Sequence, residues 1–336
     1  DPKNSLLNRS FFMDAITLIL FILGFVVLIT GAEMLVRGAS RLAIIAGITP
    51  LVVGLTVVAY GTSAPELAVS VQASYAGQPD IAIGNVVGSN ISNVLLVLGI
   101  SAAVAPLAVS QQLIRWDIPI MIGLSVLLFV LGADGKLGRW DGLILFTGAI
   151  VYTVMAIRQS RQEVRQIALA QAELPTAPKV KSGWQQIMMQ IVYIGVGLVL
   201  LVVGARWLVN GAVAIAKLFN VNELVIGLTI VAVGTSLPEI ATSIVAALRG
   251  NRDIAVGNVV GSNIFNILLV LGLSSLVAPD GISVARPLLA FDIPVMIAVA
   301  LACLPIMFSG YIIAHWEGFL FLGYYVAYAV YLFLNA

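Results

Sequence analysis

Long apolar segments alternate with short polar ones along most of the chain. Residues 16–30, 120–132 and 192–204 are apolar almost throughout and show no regular alternation of apolar and polar positions. A helix needs about 20 such residues to cross a bilayer, whereas a strand of a membrane barrel alternates. The pattern therefore predicts an all-α polytopic membrane protein.

Ten transmembrane helices are predicted, five in each half, with helices 2, 3, 7 and 8 broken. Their predicted bounds are 13–36, 47–76, 80–105, 115–132, 139–158, 185–209, 220–249, 253–278, 288–309 and 313–335. Residues 159–184 form a long polar stretch, which we predict to be a cytoplasmic linker. Residues 1–12 precede a methionine and are expected to be a tail introduced for expression. The predicted units are thus 1–12, 13–158, 159–184 and 185–336.

Composition agrees with a membrane protein and excludes several other classes. The chain is 60% hydrophobic and 10% charged, with a mean hydropathy of +1.07, whereas soluble domains carry roughly 25% charged residues. A net charge of +1 gives no reason to expect nucleic-acid binding. With one cysteine, Cys303, and one histidine, His315, no disulfide framework and no zinc, copper or iron centre is expected. We expect neither a resident cofactor nor a required protein partner.

The distribution of Lys and Arg predicts the orientation. With the linker in the cytoplasm, ten of these residues lie inside and five outside, which satisfies the positive-inside rule. The expected location is a prokaryotic inner or plasma membrane, with the amino terminus facing outward.

The two halves of the chain are repeats of one another. Residues 54–99 reappear as residues 227–272 without a gap, at an offset of 173, and 31 of the 46 positions are identical. If five helices separate equivalent points, the second half must enter the bilayer in the opposite direction. The sequence therefore predicts an inverted repeat, which is typical of secondary transporters.

An acidic residue recurs near the middle of the second helix of each half. Glu66 and Glu239 both follow the string Gly-Thr-Ser-x-Pro-Glu. An ionisable residue at that depth costs at least roughly 2–3 kcal/mol, so a functional role is favoured. Pro65 removes a helical hydrogen bond and clashes with the carbonyl of Gly61. The helix is predicted to break there and to free backbone carbonyls, including that of Ala59.

Helical spacing gathers further oxygen atoms near each glutamate. Thr62 and Ser63 precede Glu66 by four and three residues, so they can share its face, and Thr235 and Ser236 repeat this arrangement. The next helix of each half carries a polar stripe with a period of four. These stripes are Asn85, Ser89 and Asn93, and Asn258, Ser262 and Asn266.

Glycines accompany the stripes, and other polar residues have open interpretations. Gly84 and Gly88, with Gly257 and Gly261, are predicted to let a neighbouring helix approach closely. For Asn85, Asn90, Asn258 and Asn263, helix packing or capping is as good an interpretation as ion contact. Asp117 and Asp292 precede Ile-Pro at helix starts, where capping is expected.

Two carboxylates within a cage of oxygens suit a hard cation. Calcium fits best, or several sodium ions, because soft metals prefer sulfur or imidazole. One Ca²⁺, or two or more monovalent cations, would neutralise the pair. If only neutralised states change conformation, opposite flows of two ions are coupled and the protein is an exchanger.

The strings GTSAPE and GTSLPE, each followed by GNVVGSN, resemble the α-repeats of the cation/calcium antiporter superfamily, specifically its sodium/calcium exchanger branch. The resemblance covers essentially the whole membrane region. It implies ten helices in two inverted halves, with the first and sixth helices sliding across the others. The cation ligands it implies are Glu66, Glu239, Thr62, Ser63, Thr235, Ser236, Ser89 and Ser262, with the carbonyls of Ala59 and Ala232 and the amides of Asn93 and Asn266 nearby.

One departure from the family pattern concerns charge. Many relatives carry an aspartate at one of the positions matched by Asn93 and Asn266, whereas both are amides here. Proton/calcium exchangers of the superfamily resemble Gly-Asn-x-x-Glu in place of Gly-Thr-Ser-x-Pro-Glu, so sodium is favoured as the counter-ion. A proton-coupled or potassium-dependent exchanger is the alternative.

Other classes of function fit the sequence less well. A passive cation channel would need no inverted duplication, and an intramembrane enzyme would need a nucleophile–base pair. A primary pump is disfavoured because the chain has no Gly-x-x-x-x-Gly-Lys-[Ser/Thr] loop.

Overall fold

The computed structural model describes residues 2–171, 183–219, 232–308 and 310–335, and it is helical apart from four very short strands. Within these residues, eight helices are long and apolar enough to cross a membrane, and a bent helix pair at Pro50–Tyr75 makes a ninth. The prediction of an all-helical polytopic membrane protein is confirmed. Predicted helix 7 begins at 220, but residues 220–231 lie outside the described part, so the count of ten stays a prediction.

The first half contains eight α-helices, three π-helical segments and one 3₁₀ turn. They are α1 (Pro2–Ala46), α2 (Pro50–Val53), π1 (Gly54–Val58), α3 (Ala59–Thr62), α4 (Ala64–Tyr75), α5 (Pro79–Ser92), π2 (Asn93–Leu98), α6 (Gly99–Val104), π3 (Leu113–Asp117), α7 (Ile118–Leu131), the 3₁₀ turn (Gly132–Asp134) and α8 (Arg139–Gln171).

The described parts of the second half contain seven α-helices and two π-helical segments. They are α9 (Trp184–Leu218), α10 (Ala232–Thr235), α11 (Leu237–Leu248), α12 (Arg252–Phe265), π4 (Asn266–Leu271), α13 (Gly272–Val277), π5 (Leu288–Asp292), α14 (Ile293–Phe308) and α15 (His315–Asn335).

The predicted breaks in helices 2 and 7 are present. Ser63 separates α3 from α4, and the axes on either side differ by 47°. Ser236 separates α10 from α11 with nearly the same backbone angles, φ −85° and ψ 1° against φ −82° and ψ 7° at Ser63. In both copies the proline lies in the first turn of the following helix, where its missing N–H would have no partner in any case.

The predicted breaks in helices 3 and 8 are wrong. Residues 79–104 and 252–277 each form one continuous span. Neither span contains an internal proline, and the irregularity takes the form of a π-helical segment that starts at Asn93 and at Asn266. Such π-bulges are frequent at functional sites. These two spans are also the most buried, with 72% and 94% of their most apolar windows covered, so they form the centre of the molecule.

Three helices are longer than their apolar patterns predicted. Helix α1 continues to Ala46, beyond the predicted end at 36, and α9 continues to Leu218, beyond the predicted end at 209. Helix α8 continues to Gln171, beyond the predicted end at 158. The predicted linker therefore begins as helix, and residues 172–182 lie outside the described part.

Glycines bring α1 and α9 together along their length. A Cβ added to Gly31 would lie 2.7 Å from the backbone nitrogen of Leu201, and one added to Gly197 would lie 2.7 Å from the nitrogen of Leu35. No larger residue fits this spacing without moving backbone. Close approach of this kind is how membrane helices gain packing energy where lipid gives no hydrophobic driving force.

The predicted close approach at the stripe glycines is present in the second half. A Cβ on Gly257 would lie 2.8 Å from the carbonyl oxygen of Leu51, and one on Gly261 would lie 2.5 Å from that of Leu55. Helix α12 therefore packs its backbone directly on α2 and π1. Around Gly84 and Gly88 no described atom comes within 4 Å of an added Cβ, so that half of the prediction stays open.

Two short antiparallel ladders join loops of the two halves. Strand β1 (Leu107–Ala108) pairs with β4 (Ile312–Ile313), and β2 (Lys136–Leu137) pairs with β3 (Ile282–Ser283). Each ladder connects a loop beside α7 to a loop beside α14. These two helices are therefore tied to each other at both ends.

The capping expectation for Asp117 is wrong. Its side chain makes no capping hydrogen bond and instead accepts one from Tyr152 at 2.9 Å. Asp292 accepts a hydrogen bond from Tyr328 at 2.9 Å, and its capping role stays a prediction. Each aspartate ends a π segment, and each Tyr–Asp pair joins neighbouring helices.

Candidate cation-binding site

The two glutamates lie inside the protein. Glu66 in α4 and Glu239 in α11 are each 1% exposed. Oxygen Oε2 of each has no hydrogen-bond partner within the described residues. Two buried carboxylate oxygens without donors are an unfavourable arrangement for an empty protein interior.

Hydroxyl groups from the first copy reach polar groups of the second. Ser63 donates a hydrogen bond to Oε1 of Glu239 at 3.3 Å, and Thr62 donates to Oδ1 of Asn258 at 3.0 Å. Ser63 can do this because it is the non-helical residue between α3 and α4, so the break aims its side chain away from its own helix. The site is therefore shared between the halves.

Each glutamate is held by a set of residues that occupies the same positions in both repeats. Asn85 donates to the backbone carbonyl of Glu66 at 3.3 Å and to the hydroxyl of Ser70 at 2.9 Å. In the second repeat, Asn258 donates to the carbonyl of Glu239 at 3.5 Å and to Ser243 at 3.0 Å. These hydrogen bonds join the span 79–104 to α4 and the span 252–277 to α11, the two helices that carry the glutamates.

Sequence reasoning missed Ser70 and Ser243. Each follows its glutamate by four residues, so each lies on the same helix face. They also occupy equivalent positions in the repeat, and that recurrence was the signal that could have found them.

Six of the remaining predicted residues are also in the interior. Ser236, Ser262, Asn93 and Asn266 are at most 1% exposed, and each carries an oxygen that has no hydrogen-bond partner among the residues described. Ala59 and Ser89 are buried, and Ala232 is the first residue of α10. Ala59 accepts a long contact of 3.5 Å from Thr62. Ser262 has no side-chain hydrogen-bond partner in the described part of the chain, and no hydrogen bond there joins Ser89 to either glutamate.

A cavity of ≈ 410 Å³ adjoins one side of the site. Its wall includes Pro65, Thr235 and Pro238 from the two helix breaks, together with Arg206 and Asn210 from α9. Thr235 is half-buried and lines this cavity next to the helix break at Ser236.

An ion-pair cluster is found at the equivalent flank of the first repeat. Glu33 of α1 forms an ion pair with Arg37 on the same helix and another with Arg249 at the end of α11. Nη2 of Arg249 lies 2.5 Å from Oε1 of Glu33, and Nε of Arg249 lies 2.9 Å from Oε2. Glu33 occupies the repeat position of Arg206, so these two equivalent positions carry side chains of opposite charge.

Buried carboxylates, hydroxyls and amides at the centre of a helical membrane protein define the class of cation transporters, since hard cations take oxygen ligands. The family model for "Sodium/calcium exchanger protein" matches residues 16–158 and 189–334. The chain belongs to this family. It is therefore a cation/calcium antiporter of the plasma membrane rather than an enzyme.

Relatives and a solved structure agree with this membership. The chain is 35% identical over 307 residues to the sodium/calcium exchanger MaX1 of Methanosarcina acetivorans, covering 82% of this chain and 86% of the relative. It is 38% identical over 246 residues to the inner membrane protein YrbG of Escherichia coli, covering 73% and 74%. The structure of the sodium-calcium exchanger NCX_Mj soaked with zero Na⁺ and Ca²⁺ superposes with a TM-score of 0.79 at 31% identity, covering 94% and 98%.

Proposed function

We propose that the protein exchanges Ca²⁺ for Na⁺ by alternating access at one site shared by two inverted five-helix repeats. The proposed ligands are the two carboxylates with the hydroxyls, amides and carbonyls that surround them. They are Glu66, Glu239, Thr62, Ser63, Thr235, Ser236, Ser89, Ser262, Asn93, Asn266, Ala59 and Ala232.

The contact of Ser63 with Glu239 carries this proposal. It brings the hydroxyl of one copy to the carboxylate of the other at 3.3 Å, deep in the protein, while Oε2 of Glu66 and of Glu239 stay without donors. A cation between the carboxylates would replace the missing donors. Oxygen-only coordination with two negative charges matches the preference of Ca²⁺.

Charge neutralisation gives the coupling. Two bare carboxylates in a low-dielectric interior oppose a conformational change, because burying unpaired charge is expensive. One Ca²⁺ or two or more Na⁺ would remove the net charge. If only such loaded states change their exposure, each half-cycle must carry an ion, and the two flows become exchange.

Sodium is the proposed counter-ion because both copies carry Gly-Thr-Ser-x-Pro-Glu, and because the relative MaX1 is named a sodium/calcium exchanger. Proton coupling and potassium dependence are the alternatives that the experiment must separate. A passive channel is less well supported, since a duplicated site deep in the protein suits a bound ion better than a continuous pore.

The test is uptake of radioactive calcium into proteoliposomes that contain the full chain. An outward sodium gradient should drive uptake, while proton or potassium gradients alone should not. Liposomes without protein and liposomes with the Glu66→Gln variant are the controls. Uptake that follows pH and ignores sodium would overturn the counter-ion, and calcium flux that needs no counter-ion would indicate a channel.

A further inference from the structure

Four buried asparagines form a reciprocal hydrogen-bond network between the spans 79–104 and 252–277. The side-chain nitrogen of Asn90 donates to the backbone carbonyl of Asn263 at 3.2 Å, and the nitrogen of Asn263 donates to the carbonyl of Asn90 at 3.3 Å. Both side chains are at most 3% exposed. Each half thus contributes one asparagine that holds the backbone of the other.

These two contacts fix the orientation of both amide groups. A backbone carbonyl can only accept, so the NH₂ group of Asn90 must face Asn263 and its oxygen must point elsewhere. That oxygen accepts from the nitrogen of Asn266 at 3.0 Å. In the other half, the oxygen of Asn263 accepts from the nitrogen of Asn93 at 3.1 Å.

The orientation of Asn93 and Asn266 follows in turn. Their NH₂ groups are occupied by Asn263 and Asn90, so their carbonyl oxygens point away from those two residues, at the other end of each amide group. Both oxygens are buried and have no hydrogen-bond partner within the described residues. Segment π2, which begins at Asn93, packs on the helix of Glu239, and π4, which begins at Asn266, packs on the helix of Glu66.

We infer that Asn90 and Asn263 are positioning residues, which make Asn266 and Asn93 present a carbonyl oxygen rather than an NH₂ group to the cation. The inference rests on the proposed function, because it assigns a role within that site. An amide oxygen carries partial negative charge and coordinates Ca²⁺ or Na⁺, whereas the NH₂ group would repel either ion. Neither positioning residue needs to touch the ion.

The same network selects an amide over a carboxylate at positions 93 and 266. An ionised aspartate has no proton to donate, so its oxygen at position 266 would face the oxygen of Asn90. If the Asn90 amide rotated to donate to that aspartate, its own oxygen would face the carbonyl oxygen of Asn263. The two positioning asparagines and the two neutral ligand positions therefore belong together, and they limit the fixed charge of the site to that of Glu66 and Glu239.

A double-mutant cycle tests this role. The Kd for Ca²⁺ is measured by equilibrium binding of radioactive calcium to the full chain in nanodiscs, in sodium-free buffer, for Asn90→Leu, Asn266→Ala and the double variant. Each single change should weaken binding roughly tenfold, the order expected for a lost buried hydrogen bond or ligand. If Asn90 acts through Asn266, the double variant should bind no more weakly than Asn266→Ala. Losses that multiply to about a hundredfold would overturn the inference.

The second half supplies a matched control. Asn263→Leu should be non-additive with Asn93→Ala, and Asn90→Leu should be additive with Asn93→Ala, because the Asn90 side chain accepts from Asn266 and not from Asn93. A purely structural role would give the same additivity in all combinations. If Asn90→Leu does not fold, Asn90→Ser replaces it, since a serine side chain is too short to reach the amide of Asn266.

The Glu66→Gln variant separates this inference from the proposed function. If Glu66→Gln binds Ca²⁺ as the unmodified chain does, the proposed site itself is wrong and the asparagine role falls with it. If Glu66→Gln loses binding while Asn90→Leu leaves Kd unchanged or shows additivity with Asn266→Ala, only the positioning role is wrong.

Discussion

The two repeats resemble each other more at the centre of the molecule than at its flanks. At the centre, the asparagines beside the two glutamates make equivalent contacts: Asn85 donates to the carbonyl of Glu66 as Asn258 donates to that of Glu239. The hydroxyls differ, since Ser63 reaches Glu239 whereas Ser236 has no partner among the described residues. At the flanks, Glu33 pairs with Arg249, while its counterpart Arg206 lines a cavity. Under the proposed alternating access, a site that receives ions from both sides needs carboxylates in both copies. If the repeats are inverted as proposed, the flanks face different compartments and are free to differ.

The strongest test of that equivalence is to neutralise either glutamate. Glu66→Gln and Glu239→Gln should each lower exchange on the order of a hundredfold or more, because affinity in oxygen sites depends on the number of charged ligands. Sodium-driven calcium uptake measures the loss, and size-exclusion chromatography checks folding. Normal turnover in one variant would remove that glutamate from the mechanism and break the equivalence of the two copies.

The glycine contact between α1 and α9 should be the next most sensitive feature. Gly31→Leu and Gly197→Leu should each lower the free energy of unfolding by about 3 kcal/mol, because the new side chain would meet backbone of the other helix. Thermal unfolding in detergent measures the change. Gly195→Leu is the control, since an added Cβ there meets nothing within 4 Å. Equal destabilisation by all three would refute the close packing.

The pairs Tyr152–Asp117 and Tyr328–Asp292 differ in how deeply the aspartate is buried. Asp117 is 3% exposed, whereas Asp292 is half-buried. Tyr152→Phe should therefore destabilise the protein by about 2 kcal/mol and Tyr328→Phe by about 1 kcal/mol, because an unsatisfied carboxylate is worse when water is excluded. The same unfolding assay compares them, and a larger loss for Tyr328→Phe would contradict the ranking.

The ion-pair cluster should give the smallest effect. Glu33→Gln should shift the calcium concentration for half-maximal exchange by at most about fivefold, since partly exposed ion pairs contribute under about 1 kcal/mol. The shift is measured separately at the two faces of oriented proteoliposomes and should shrink as salt rises. Arg206→Gln is the matched control at the other flank. A similar shift in both variants would show that the charge difference does not distinguish the faces.

The sequence allowed the helix breaks of the site to be predicted because their cause is local. Pro65 and Pro238 forbid a regular helix one turn earlier, whatever surrounds them. The repeat added the expectation that Ser63 and Glu239 belong to one site, since it placed identical polar strings in both halves.

The errors arose where the deciding partner is distant in sequence. Nothing in Asn-Val-Leu-Leu-Val-Leu marks a π-helical segment, and the amide of Asn93 is held by Asn263, 170 residues away. Asp117 resembled a cap because its partner Tyr152 lies on another helix. The extension of α8 to Gln171 was different, because its Ala, Leu, Gln and Arg residues favour helix and could have been recognised.

The neutral side chains of Asn93 and Asn266 have an electrical consequence. With two carboxylates as the fixed charge, a cycle of one Ca²⁺ against two Na⁺ moves no net charge and is indifferent to the membrane potential. A third Na⁺ would carry one elementary charge, worth about 2.3 kcal/mol per 100 mV. Imposing a voltage on proteoliposomes thus separates the two cycles: a rate that does not respond agrees with two sodium ions per calcium ion, and a rate that responds requires more than two.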